Sequence, residues 1–117
     1  MTGANSRMRE PTYFILSALQ DEPLHGYAII KQAAALSQGR VTLATGTLYS
    51  ALDRLTAEGY VRVVKEEIVS GRARRYYATT PEGDAALQAE AAYLADAARV
   101  VTDRAVRMAR RPAAGLA

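Results

Sequence analysis

Two short segments constrain this chain more than any others. Gly46-Thr47-Leu48-Tyr49 opens a helical pattern, and the basic stretch Gly71-Arg72-Ala73-Arg74-Arg75-Tyr76-Tyr77 follows a β-branched run. That run, Tyr60 to Val69, holds Val61, Val63, Val64, Ile68 and Val69. Ser70-Gly71 is a turn dipeptide, and Arg75-Tyr76-Tyr77-Ala78-Thr79 reads as the returning strand, so the region predicts a β-hairpin. A helix start rich in small and hydroxylated residues, followed by a hairpin with an arginine-rich tip, is the arrangement of a winged helix-turn-helix. The expected class is mainly α with a small β-hairpin: a DNA-binding module plus a long C-terminal dimerisation helix.

The remaining elements follow from periodicity and punctuation. Residues 1–10 are polar and read as a flexible arm. Pro11-Thr12 opens a first helix, with Thr12 as candidate cap, and Tyr13, Phe14, Ile15, Leu16, Ala18 and Leu19 make it apolar on most sides. Asp21-Glu22-Pro23 ends it. A second helix is expected over about Leu24 to Leu36, with Leu24, Tyr27, Ala28, Ile30 and Ala34 as its apolar positions. A third runs from about Gly46 to Glu58. Thr45 is its expected N-cap; Leu48, Leu52 and Leu55 face the core, and Thr47, Ser50, Asp53 and Arg54 face out. Thr80-Pro81-Glu82-Gly83 has the cap, first-turn proline and acidic start of a further helix, which Pro112 stops. Expected boundaries are thus an arm at 1–10, a winged module at 11–80, a helix at 81–111 and a disordered tail at 112–117.

Bulk properties narrow the function. At 117 residues the chain is one domain with one extra element. Many of its apolar residues are alanine, which favours helix but buries little area, so a partner chain is expected to help cover it. The formal net charge of +3 suits a nucleic-acid binder only weakly, whereas Arg72, Arg74 and Arg75 within four residues say more. There are no cysteines, which excludes disulfides and thiolate metal sites and fits a cytoplasmic setting. No apolar run approaches the ~18 residues of a membrane span. With one histidine and scattered acids there is no catalytic constellation, so the chain reads as a non-enzyme without cofactor or metal.

The DNA-reading candidates cluster at the third helix and the hairpin tip. A helix N-terminus favours phosphate because its first amides are unpaired and its dipole is positive there. Thr45, Gly46, Thr47 and Tyr49 surround that terminus. Gly46 holds nothing away, and the hydroxyls of Thr47 and Tyr49 can donate to phosphate. Ser50 and Arg54 lie further along the exposed face, and only Arg54 there has a fork suited to guanine or phosphate. The same residues serve equally well as helix-start and packing groups. At the hairpin, Gly71 makes the turn, and alternation puts Arg72 and Arg74 on one side and Arg75 on the other. Arg72 is the leading contact and Arg74 the second. Arg75 is free to pair with an acid and hold the hairpin to the body. Tyr76 and Tyr77 read as packing residues.

In the last helix, Leu87, Ala91, Leu94, Ala98, Val101, Ala105 and Met108 repeat at alternating spacings of four and three, an a/d seam over three heptads. The seam outruns the surface of a small module, so it predicts a homodimer. A two-fold dimer presents two recognition helices, hence a near-palindromic double-stranded DNA target. Tyr93 is the only aromatic of this helix; it is a candidate ligand contact, with interfacial packing the commoner use of tyrosine.

These segments resemble the PadR family of transcriptional regulators. The likeness lies in Pro23-Leu24-His25-Gly26-Tyr27, in Gly46-Thr47-Leu48-Tyr49 with Ala51-Leu52 and Arg54-Leu55, in Gly59, in Gly71-Arg72 with Arg74-Arg75-Tyr76-Tyr77, and in Thr80 with Gly83. It covers about residues 12–95. The resemblance implies a winged helix-turn-helix whose C-terminal helix mediates homodimerisation, repression from inverted-repeat operators, and, in some members, release by small aromatic or cationic effectors. Room for one long helix after the hairpin matches the short form of the family. The lack of tryptophan sets the chain apart from members that hold flat drugs between Trp rings. The competing reading is a winged-helix module used for protein contacts alone.

Overall fold

The computed structural model describes residues 7–111. The elements are α1 (Glu10–Leu19), β1 (Leu24–His25), α2 (Gly26–Leu36), α3 (Thr45–Ala57), β2 (Val61–Val69), β3 (Arg72–Thr79) and α4 (Pro81–Arg110). Three helices pack beside an antiparallel sheet of order β1-β3-β2, and α4 leaves the body as a long rod. This is a winged helix-turn-helix with a long C-terminal helix.

The core forms where the helical stripes meet the inner face of the sheet. Ile15, Leu16 and Leu19 of α1, Ile29 of α2, and Leu48, Leu52 and Leu55 of α3 are buried together with Val61, Tyr77 and Leu87. The 48-52-55 stripe of α3 lies inward as its spacing requires, which turns Thr47, Ser50, Asp53 and Arg54 outward.

Several local expectations are corrected. Thr12 does not cap α1: Glu10 and Pro11 form the first turn ahead of it, Arg9 takes the cap position without a side-chain bond, and Thr12 is buried. Thr45 is the first residue of α3 rather than its cap; Ala44 takes that position and offers no side-chain acceptor. Leu24-His25 is a short strand rather than the start of α2, pairing Leu24 with Tyr77 and His25 with Tyr76. His25 then caps α2, its Nδ1 accepting from the Ala28 amide at 3.4 Å. Because α2 starts at Gly26, its buried face is Gly26, Ile29 and Ala33, and Tyr27 points to solvent, 67% exposed.

The hairpin is two long strands joined by Ser70-Gly71, both at positive φ (53° and 79°). A two-residue turn of this sign matches the twist of paired strands, and glycine takes the second place at no steric cost. Val64 is skipped in the pairing between Val63 and Lys65, which bulges β2. Thr80 caps α4 as expected: its Oγ1 accepts from the Gly83 amide at 3.0 Å while donating to the Gly59 carbonyl at 2.6 Å.

At ~1.5 Å per residue the 30 residues of α4 span ~45 Å. From Ala92 onward every described residue of α4 is exposed. The radius of gyration is 19.2 Å, against ~13 Å for a compact chain of this length. The tail expected over 112–117 lies outside the described residues, as does the arm from 1 to 6. The described part of that arm, Arg7 to Arg9, lies against α4 and α1, with Met8 packed on the core.

Candidate nucleic-acid interface

The start of α3 is open. Thr45, Gly46, Thr47 and Ser50 are exposed, and beyond its chain neighbours and the adjoining backbone of α3 nothing lies within 4 Å of where a Cβ would sit on Gly46. With no side-chain cap at Ala44, the first-turn amides face outward unshared by any capping group. Asp53 shares this exposed face; as an acceptor it repels phosphate but suits the amino group of cytosine.

Tyr49 is half exposed, yet it is also a packing residue. Its ring hydroxyl fills the space that a Cβ at Gly26 would need. The start of α2 and the start of α3 are therefore held together through this contact.

Arg54 differs from its sequence-level reading as a free fork. Its Nη2 donates to Thr12 Oγ1 at 2.9 Å, and its Nη1 lies 3.5 Å from Glu58 Oε1. The guanidinium braces the end of α3 against α1. The reason is local: Thr12 is displaced from the cap position into the α1 body, where its hydroxyl faces α3.

The hairpin arginines divide by their neighbours. Arg75 Nε lies 3.4 Å from Glu66 Oε2 on the facing strand, so its acid holds the hairpin to itself and not to the body. Hydrogen bonding to Tyr77 and to Glu66 raises its pKa above the ordinary value. Arg74 is half-buried and stands opposite Glu67 in the register. Tyr76 donates to Glu67 Oε2 at 2.8 Å and meets His25 edge-on at 5.4 Å, so Tyr76 and the buried Tyr77 are packing residues. The Tyr76 hydroxyl holds Glu67 below the usual carboxylate range. Burial, then the Arg74 charge, pushes His25 below its ordinary value, which keeps the capping Nδ1 free to accept. Arg72, beside the turn, has no ion pair among the described residues.

Sequence reasoning missed Tyr27 and Lys31. They lie one turn apart on the outer face of α2, with the Lys31 ammonium 5.4 Å from the Tyr27 ring centre. In a helix-turn-helix the helix before the recognition helix crosses the phosphate backbone. The signal was present in Pro23-Leu24-His25-Gly26-Tyr27, but the misplaced helix start turned Tyr27 inward.

The α4 seam is split. Leu87 is 3% exposed inside the body's own core, which removes it from any partner surface. Ala91 is half-buried. Leu94, Ala98, Val101, Ala105 and Met108 are exposed, Val101 to 66% and Met108 to 56%. Tyr93 carries the Arg7 guanidinium 3.5 Å from its ring centre. Among the described residues no group of three or more His, Cys, Asp or Glu side chains is placed to hold a metal, and no helix is long and apolar enough to cross a membrane.

Comparison with known proteins agrees with this geometry. The model of the transcriptional regulator PadR-like family matches residues 15–89, from α1 through the wing to the first turns of α4. The transcriptional regulator Rv3488 of Mycobacterium tuberculosis is 39% identical over 87 residues, 74% of this chain and 78% of that protein. A PadR family transcription regulator from hypervirulent Clostridium difficile shares the fold at a TM-score of 0.67, with 25% identity over 81% of this chain and 97% of that one. Bacillus subtilis PadR in complex with operator DNA superposes at a TM-score of 0.60, with 25% identity over 68% of this chain and 46% of that one. Helices, wing and sequence coincide with one group of regulators, and the chain belongs to the PadR-like family of transcriptional regulators.

Proposed function

We propose that this regulator is a homodimeric repressor that binds double-stranded DNA at an inverted-repeat operator. The observation that carries the reading is the open α3 N-terminus on the same rigid body as the unpaired Arg72 at the wing tip. The reading is supported by likeness of fold to Bacillus subtilis PadR, whose structure is that of a complex with operator DNA. In this reading α3 enters the major groove, with the Thr45, Gly46 and Thr47 amides and hydroxyls on phosphate and Ser50 at base edges. Gly71, Arg72 and Arg74 follow the neighbouring backbone, Arg72 foremost. Tyr49 positions α3 through α2, and Arg54 braces it through α1.

Dimerisation is assigned to the exposed stretch of α4, along Ala91, Leu94, Ala98, Val101, Ala105 and Met108. A projecting helix with an unburied apolar stripe is stable when a second copy covers it. The dimer sets two recognition helices about one DNA turn apart, ~34 Å.

The test is fluorescence anisotropy on labelled DNA from upstream of the protein's own gene against scrambled DNA, over a salt series. Tight, selective binding with a steep negative salt slope supports the repressor. Absence of selective binding, together with salt-insensitive capture of a protein, would support the protein-interaction reading instead.

A further inference from the structure

The outward pole of α3 carries few groups that can distinguish a base. Leu48, Leu52 and Leu55 are fully buried, with Ala51 half-buried beside them. At ~100° per residue the positions opposite that stripe are Gly46, Ser50, Asp53 and Ala57, and all four are exposed. Gly46 and Ala57 bring no polar side-chain atom. The flanks are engaged elsewhere. Arg54 donates to Thr12 Oγ1 and pairs with Glu58, which turns its fork toward α1. Tyr49 rests on Gly26 of α2, and the Thr56 hydroxyl donates to the Leu52 carbonyl at 2.7 Å. Thr47 belongs to the first turn, where phosphate is the partner. Ser50 and Asp53 remain for the bases.

These two differ in what they can tell apart. A serine hydroxyl donates and accepts, so it suits either kind of base edge. A carboxylate only accepts. In the major groove the donors are the amino groups of cytosine and adenine, whereas guanine and thymine present acceptors at this depth. The adenine amino group stands beside N7, whose lone pair faces the second carboxylate oxygen. Cytosine has a ring C–H there instead, so it suits a carboxylate better. Asp53 lies seven residues beyond Gly46, ~10 Å along the axis and within the ~12 Å width of the groove. The neighbouring cation, Arg54, is turned to Glu58 and does not neutralise it. An acid at the centre of a surface that meets a polyanion weakens binding to every sequence that offers it no donor, which is how an interface rejects wrong partners.

We propose that Asp53 is the specificity-determining residue of α3: it accepts from the amino group of a cytosine in each half-site and disfavours the other three bases at that position. This rests on the proposed function above and names the base that the recognition helix requires. Two-fold symmetry then places a C·G pair at the same point of both half-sites. Replacing one such cytosine should weaken binding about tenfold or more.

The experiment is selection from random-sequence double-stranded DNA with full-length wild type, Asp53→Ala and Asp53→Asn in parallel, followed by anisotropy on the selected operator and its single-base variants. Asp53→Ala, at an exposed helical position that favours alanine, should keep every other preferred base and lose the cytosine. Its penalty for a base change there should fall from about tenfold to about onefold. Asp53→Asn sets a donor beside its acceptor, which matches the adenine amino group and N7, and should move the preference to adenine. If Asp53 only held α3 in place, both variants would weaken binding evenly and leave the preferred sequence unchanged, which overturns the proposal. A base other than cytosine at the position that Asp53→Ala relaxes overturns it as well. Failure of the wild type to enrich any sequence overturns the proposed function and this inference with it. One sequence enriched alike by all three proteins overturns this inference alone.

Discussion

The hydroxyl of Tyr49 sits in the space that a side chain on Gly26 would fill. Glycine at the first turn of α2 is thus the condition for the angle at which α3 leaves the body. Gly26→Ala forces Tyr49 out or α2 back. We expect a loss of about 1–3 kcal/mol in stability by chemical denaturation, as for other overpacked contacts. Operator affinity should fall with it, and the double variant Gly26→Ala/Tyr49→Phe should recover part of the stability. Unchanged stability in Gly26→Ala would show that the two helices are not held at this point.

Arg72, at the wing tip, has no ion pair among the described residues. Arg72→Ala should weaken binding to every DNA sequence alike and reduce the salt slope by ~0.9, the release of about one phosphate's counterion. Arg75→Ala should leave the slope nearly unchanged, since Glu66 already shares its charge. An unaltered slope in Arg72→Ala excludes the tip as a contact.

Arg54 is committed to Thr12 and Glu58. Arg54→Ala should therefore lower operator affinity evenly across base substitutions rather than shift base preference, and Thr12→Val should do the same more weakly. Anisotropy on a set of single-base operator variants separates the cases, and a change of preference at one position restores Arg54 as a base reader.

The α4 stripe divides at the edge of the body. Leu87→Ala should cost about 2–5 kcal/mol of stability, as a core truncation does. Leu94→Asp should leave the body folded and give a monomer by light scattering. A dimeric Leu94→Asp protein contradicts the seam.

His25 caps α2 in its neutral form, and burial with the Arg74 charge depresses its pKa. A depressed pKa means the unfolded chain takes the proton first. The contribution is complete above pH 6.5, the unfolded value, and is lost as pH falls through the folded value. Thermal midpoints should decline below about pH 6.5, and His25→Asn, which keeps an acceptor at the cap, should flatten that part of the profile.

Elements whose signals are local were legible in the chain alone. The 48-52-55 leucines oriented α3, Ser70-Gly71 closed the hairpin, and Thr80-Pro81 started α4, because periodicity, turn sign and capping are properties of adjacent residues. Packing between distant segments set the rest. β1 exists only because β3 offers Leu24 and His25 an edge, and two residues carry no alternation of their own. That pairing moved the start of α2 and turned Tyr27 outward. Arg54 lost its freedom to a threonine 42 residues away, and Leu87 left the seam because the core reaches up to α4. Glu90 gained its cation from a residue 83 positions distant. Each of these depends on which surfaces meet, and no local pattern encodes that meeting.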